Sequence, residues 1–304
     1  MGDFLKERIE NLKKWGRDYG KLFFIFVCFV IFIFSIYLIF SFSPSRNLKV
    51  SFLDVGQGDA IYIESPTHKK MIIDGGPSNI VLERLNKEMN FYDKDIDVLL
   101  ETHPDSDHIT GLIPILENYN VKNIVMSKAQ SDTSVSSDLK NHIDMEVKDS
   151  GAIVHVAKTG DQIDFGDGVV VKVLYPASNY VDDKNTNDGS VSVEIDYGNE
   201  NFLLTADLPS NKEDDLIATG MLSKNITIYK AGHHGSKTAN SEKLLSYISP
   251  YYSVISAGKN NRYGLPNEEI VDRLKKYSKA IFSTIDLGTI EFATDGNNME
   301  VSSH

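Results

Sequence analysis

Polarity divides the first forty positions in two. Residues 3–21 mix bases, acids and apolar side chains, whereas Leu22 to Phe40 read LFFIFVCFVIFIFSIYLIF without a charge. A helix needs about 20 apolar residues to cross the hydrocarbon core of a bilayer, so this pattern predicts a transmembrane helix over 22–41. The run is too long for a secretory h-region and no small-x-small cleavage site follows it, which favours a retained anchor over a cleaved signal. The preceding FLKERIENLKKWGRDY reads either as an amphipathic helix along a lipid surface or simply as a charged flank. SFSPSRNL then interrupts any helical period and sets a linker at 42–48.

From residue 49 the period shortens. LKVSFLDV, AIYIES and KKMIIDGG alternate as strands, separated by GQGD and PTH. A helical stretch follows (VLERLNKEMN), then a short apolar strand from Ile96 to Leu100, then a second helix beginning near Ile109 (ITGLIPILENY). NIVMS reads as a strand and SDLKNHIDMEVKDS as a helix. AIVHVA, VVVKVLY, SVSVEIDY and NFLLTAD are further strands, and SEKLLSYI and NEEIVDRLKKY are helices on either side of the apolar SVISAG. Two rounds of strands, each closed by helices, predict a layered α/β domain over 49–304.

Charge adds a topology. Residues 1–44 hold six bases and four acids, leaving 25 bases and 39 acids beyond them, a net −14. Bases concentrated before the apolar run put residues 1–21 in the cytoplasm and the domain outside, as a single-pass protein of the cell membrane contacting lipid through 22–41. So acidic a domain does not track nucleic acid by a basic surface alone. The lone cysteine, Cys28, lies in the apolar run, so no intrachain disulfide or thiolate metal cluster forms and any metal is held by His, Asp, Glu or Asn.

Candidate chemistry is densest in THPDSDHITG, residues 102–111, directly after the Ile96–Leu100 strand. His103 and Asp105 are spaced to converge on one divalent cation, and the adjacent Asp107 and His108 are free to turn toward a second. Individually these are residues of turns and caps; four within six positions point to metal. Asp207 closes the apolar strand NFLLTAD, as a ligand or a turn residue. His233 and His234 follow the apolar ITIYKA within a glycine-flanked loop, as ligands or acid/base groups. His68, His142, His155 and His304 have no comparable setting.

FLDVGQGDA, IIDGG, THPDSDHITG, NDGSVSV, LLTADL, AGHHGS, SAGKNNRYGLP and GTIEFATDG, in that order from Val50 to Gly296, resemble the metallo-β-lactamase fold superfamily. Within it they are similar to the hydrolase domain of the ComEC family of DNA-uptake channels. The resemblance implies a four-layer αββα sandwich holding two divalent ions, Zn²⁺ or Mn²⁺. It assigns His103 and Asp105 to one ion, Asp107, His108 and His233 to the other, and Asp207 to both. Asp207 also positions the attacking water, His234 assists substrate or leaving group, and Asp74 orients the ligand loop. Asp105 stands where the superfamily commonly has His, which hardens the site toward Mn²⁺. The usual third His of the first site is absent, with Asn187 or Asp188 in its place, and Leu265 replaces a His common in relatives.

These expectations describe a membrane-anchored phosphodiesterase acting outside the cell, DNA being the first candidate substrate. A phosphorylcholine esterase acting on cell-wall polymer is the alternative within the fold, because the fold alone does not select a substrate. A non-catalytic tethered binding module with a degenerate metal site is the alternative outside it.

Overall fold

The computed structural model describes residues 1–41, 47–177, 180 and 185–304, so most of the expected linker lies outside the described residues. The chain divides at residue 44 into two units. The first is one uninterrupted helix, α1 (Gly2–Ser41), in which the polar flank and the apolar run continue each other. No proline interrupts it, and its 40 residues span about 60 Å at 1.5 Å each, twice a hydrocarbon core. By length and composition it can cross a membrane. Trp15 and Tyr19 lie against each other, ring centroids 4.2 Å apart and planes tilted by 46°, just before the apolar run.

The second unit opens with six strands of one sheet, β1 (Leu48–Phe52), β2 (Ile61–Glu64), β3 (Lys70–Ile73), β4 (Asp95–Leu100), β5 (Asn120–Met126) and β6 (Ile153–Val156). Seven strands of a second sheet follow: β7 (Gln162–Asp164), β8 (Val169–Tyr175), β9 (Ser192–Tyr197), β10 (Glu200–Leu204), β11 (Ile228–Lys230), β12 (Tyr252–Ile255) and β13 (Ala280–Ser283). The chain then returns to the first sheet as β14 (Ile290–Thr294) and β15 (Met299–Ser303), and β14 pairs antiparallel with β1. Of these, β7, β13, β14 and β15 are not among the strands that the sequence pattern predicts: each has only three to five residues, and tertiary pairing makes them strands.

Alternation along the strands sets the layers. In β3, Met71 and Ile73 face the second sheet while Ile72 faces outward; in β10, Phe202 and Leu204 face the first sheet while Leu203 faces outward. The inward sets meet in a central core with Val50, Phe52, Val193, Ile195 and Phe292. The outward sets are covered by helices. On the first sheet these are α2 (Ile80–Glu88), α3 (Ser106–Ile109), α4 (Leu112–Asn118) and α5 (Ser134–Ser150), contributing Val81, Leu112, Leu139 and Ile143. On the second, α6 (Ser210–Ala218), α7 (Glu242–Ile248) and α8 (Glu268–Tyr277) contribute Leu216, Leu244 and Leu274, with the short α9 (Thr284–Leu287) after β13. The result is the four-layer αββα sandwich, and α6 is the one long element that the sequence pattern does not predict.

The expected second helix is two helices, α3 and α4, meeting at Gly111. A Cβ there would lie 1.8 Å from the Gly75 carbonyl oxygen, so the break follows from a close approach that only glycine permits. The central core makes a direct test. Phe202 is fully buried and packs edge-on to Phe292 at 6.4 Å. Phe202→Ala is expected to lower stability by about 3–5 kcal/mol in chemical denaturation, with little effect on metal binding by the refolded protein.

Candidate metal centre

Candidate residues collect where parallel strands end. β3 runs parallel to β4, and β10, β11 and β12 run parallel to one another. Asp74 follows β3, the 102–111 loop follows β4, Asp207 follows β10, and His233 and His234 follow β11. Carboxyl ends of parallel strands are where open α/β sheets assemble sites, and here two such edges share one.

His103, His108 and His234 are buried, and each has its Nδ1 side engaged. Thr102 Oγ1 donates to Asp74 Oδ2 at 2.6 Å and lies 3.0 Å from His103 Nδ1, so its lone pair accepts the His103 Nδ1–H. His108 Nδ1 donates to Asp74 Oδ2 at 2.7 Å, and His234 Nδ1 donates to the Ser256 carbonyl at 3.0 Å. All three rings therefore turn Nε2 to the centre, where Asp207 lies 3.8 Å from His103, 3.5 Å from His108 and 3.6 Å from His234. Asp107 Oδ2 is 3.5 Å from His234 Nε2. Asp74 thus accepts three hydrogen bonds from the ligand loop, the third from Thr102 N–H at 2.9 Å.

His103, His108 and Asp207 form one group able to hold a cation, and Asp107, His108 and His234 form another. A fit test comes from solvation. The Nε2 atoms of His103, His108 and His234 and Asp207 Oδ1 are sealed from solvent with no hydrogen-bond partner among the described residues. Each unsatisfied buried polar atom costs about 1–3 kcal/mol, and four facing one point are what a cation satisfies. Nitrogen and oxygen donors without sulfur suit Zn²⁺ or Mn²⁺.

Electrostatics agree. Burial pushes His103 down, with His108 adding to it, so its Nε2 lone pair is free. Burial also opposes charge on His108, but Asp207 and Asp74 outweigh it and hold that imidazole well above its usual range. His234 is raised to about 9 by Asp207 and Asp59 against the same burial. Asp207 is held well below the usual carboxylate range, burial being overcome by His234 and His108. The carboxylates that retain these protons would equally retain a cation in their place.

Other placements differ from expectation. The resemblance gives His233 to the second ion and leaves His234 to assist; the structure groups His234, and not His233, with Asp107 and His108. Both residues adopt left-handed backbone (φ 48° and 55°), which swings successive side chains apart. His234 goes inward to Asp107. His233 stays 27% exposed, with Nδ1 3.0 Å from Thr238 Oγ1 and Nε2 3.4 Å from Asp207 Oδ2. Asp105 belongs to neither group, but its Oδ2 lies 3.7 Å from His103 Nε2, close enough to share an ion with it, while its Oδ1 accepts from Thr186 Oγ1 at 2.6 Å. Asp188 accepts from Asn185 Nδ2 and lies 3.5 Å from Lys212 Nζ. Asn187 Oδ1, buried and without a hydrogen-bond partner among the described residues, remains available.

Asp59 escaped the sequence reading. It is buried, pairs with Lys230 Nζ at 2.6 Å and lies 3.3 Å from His234 Nδ1. Burial would raise its carboxyl, but Lys230 and His234 hold it below the usual range. In GQGDA it looks like a turn aspartate. The usable signal was Lys230, a lysine closing an apolar strand, which when buried requires a carboxylate. Gly58, at φ +129°, lets this loop lie on the ligand loop, since a Cβ would meet the Asp107 carbonyl oxygen at 2.0 Å.

Two outcomes follow. At pH 7 cation binding must displace the protons of His108 and His234, so uptake is expected to release about two protons and to weaken steeply as pH falls from about 9 to 6. Calorimetry in buffers of different ionisation enthalpy measures this, and release of none would contradict it. Asp74→Asn should lower metal affinity about 10–100-fold in a chelator competition while leaving the fold intact.

Residues 53–137 match the model of the metallo-beta-lactamase superfamily. The chain is 27% identical over 265 residues to ComE operon protein 3 of Bacillus subtilis, covering 82% of this chain and 33% of that protein. It is 28% identical over 286 residues to Recombination protein 2 of Haemophilus influenzae, covering 91% and 32%. It thus spans about a third of the length of these curated relatives. Among solved structures, a mutant of the CmlA β-hydroxylase superposes with TM-score 0.50 at 12% identity, over 81% of this chain and 53% of that one, a likeness of fold alone. Fold, histidine and aspartate loops and matches together support reading the unit that follows α1 as a metallo-β-lactamase-like domain similar to part of ComE operon protein 3 and Recombination protein 2.

Proposed function

We propose that this protein is a membrane-anchored, metal-dependent phosphodiesterase, its N-terminus cytoplasmic and its hydrolase domain outside, with DNA as the first substrate to test. One observation carries the reading: three buried imidazoles offer unsatisfied Nε2 atoms to one point beside the Asp207 carboxylate. Two divalent ions, Zn²⁺ or Mn²⁺, held by His103, Asp105, Asp107, His108, His234 and Asp207, would supply polarisation of a phosphoryl oxygen and acidification of water.

The chain's own groups do the rest. Asp207, ionised and fixed among the imidazoles, accepts a hydrogen bond from the attacking water and orients it. His233 takes the part first given to His234. Partly exposed and held through Nδ1 by Thr238, it presents Nε2 where a leaving oxygen needs a proton. DNA is favoured by the names of the relatives, among them a competence protein and a recombination protein.

The test uses the full chain in detergent, stripped with chelator and reloaded with Mn²⁺ or Zn²⁺, on single-stranded DNA and on p-nitrophenylphosphorylcholine. Cleavage of DNA is expected, with Asp207→Asn lowering kcat by about 100-fold or more at unchanged thermal stability. Turnover of the choline ester alone would replace nuclease by cell-wall esterase. Failure to take up metal would leave a tethered binding module.

A further inference from the structure

The loop of residues 258–266, between β12 and α8, is tied to the metal centre at both ends. Gly258 N–H donates to Gln57 Oε1 at 3.2 Å, beside the Gly58 that lies on Asp107, and Asn267 N–H donates to the carbonyl of Gly235, next to His234, at 3.0 Å. Asn261 organises the interior. Its Nδ2 donates to the carbonyls of Gly258 at 2.9 Å and Leu265 at 2.5 Å, and its Oδ1 accepts from the N–H groups of Tyr263 and Leu265, both at 3.1 Å. Four bonds from one side chain close the loop and leave Arg262 and Tyr263 exposed.

The Arg262 guanidinium lies over the Tyr263 ring, 4.8 Å from its centroid, and donates to the phenol oxygen at 2.6 Å. That hydrogen bond goes to a phenol and not to a carboxylate, in a domain with 14 more acids than bases. Tyr263 first, and Asp107 after it, favour the charged guanidinium. Arg262 lies within the turn that Asn261 closes, between the Gly258 and Leu265 carbonyls that its side chain bonds.

We propose that Arg262, steadied by Tyr263, is an anion clamp at the mouth of the metal centre that binds the substrate's phosphate and selects phosphodiesters over neutral esters. The proposal rests on the phosphodiesterase reading above. Asp105 and Asp107 are the partly exposed carboxylates of the site, and a planar guanidinium near its opening can bind two phosphate oxygens at once. A loop closed beforehand by Asn261 loses little entropy when it does so.

The full chain in detergent, loaded with Mn²⁺, is assayed on bis(p-nitrophenyl) phosphate and on p-nitrophenyl acetate, and inorganic phosphate is titrated by calorimetry. Arg262→Gln is expected to raise KM for the diester and the Kd for phosphate about tenfold each, with kcat within about twofold and the neutral ester unaffected. Unchanged KM and Kd, or an equal loss on the neutral ester, would overturn the clamp. If the unaltered protein turns over no diester, the phosphodiesterase reading fails by itself and the phosphate titration still decides. Weaker binding by Arg262→Gln upholds the clamp; equal binding, or none by either protein, overturns it.

Discussion

Burying three imidazoles with one nitrogen of each turned to a common point is the constraint from which the rest of this domain follows. A ring so placed is desolvated on both sides and free to rotate unless its far nitrogen is held. Asp74 holds His108 directly and His103 through Thr102, while the Ser256 carbonyl and Asp59 hold His234. Those anchors must be rigid, and rigidity is what strand ends in a packed sandwich supply.

The same constraint explains the irregular backbone. Glycine at 58, 75 and 111 lets three loops approach more closely than any side chain allows, and the consecutive left-handed residues 233 and 234 divide two neighbouring histidines between interior and opening. The buried Asp59–Lys230 pair extends the network to the wall of the second sheet. Such a pair contributes little net stability once desolvation is counted, but it fixes where Asp59 sits and hence where His234 points.

Around this centre the chemistry grades from inside to outside. His103, His108, His234 and Asp207 are sealed; Asp107 and His233 are partly open; Arg262 and Tyr263 are exposed. From outside to inside the order is thus guanidinium, then the His233 imidazole, then the buried group able to hold a cation. The acidity of the domain as a whole makes such local positive charge matter more.

The layered fold was legible in the alternation of strands such as β3 and β10, because one face of each had to be apolar. The 102–111 loop was legible because four metal-capable residues within six positions are hard to explain as packing, and the apolar half of α1 because nineteen uncharged residues in a row are long enough to cross a membrane. The weak strands β7 and β13 to β15 were not legible, since neighbours and not composition make them strands. Nor was which of His233 and His234 lies inward: adjacent residues of like chemistry differ only in the direction the backbone gives them. Sequence by itself determined which side chains were available and that they lay at strand ends. Tertiary structure alone decided which of them face one another, because that depends on loops from two sheets meeting, and Asp59, distant from His234 in the chain and 3.3 Å from it in space, is the clearest instance.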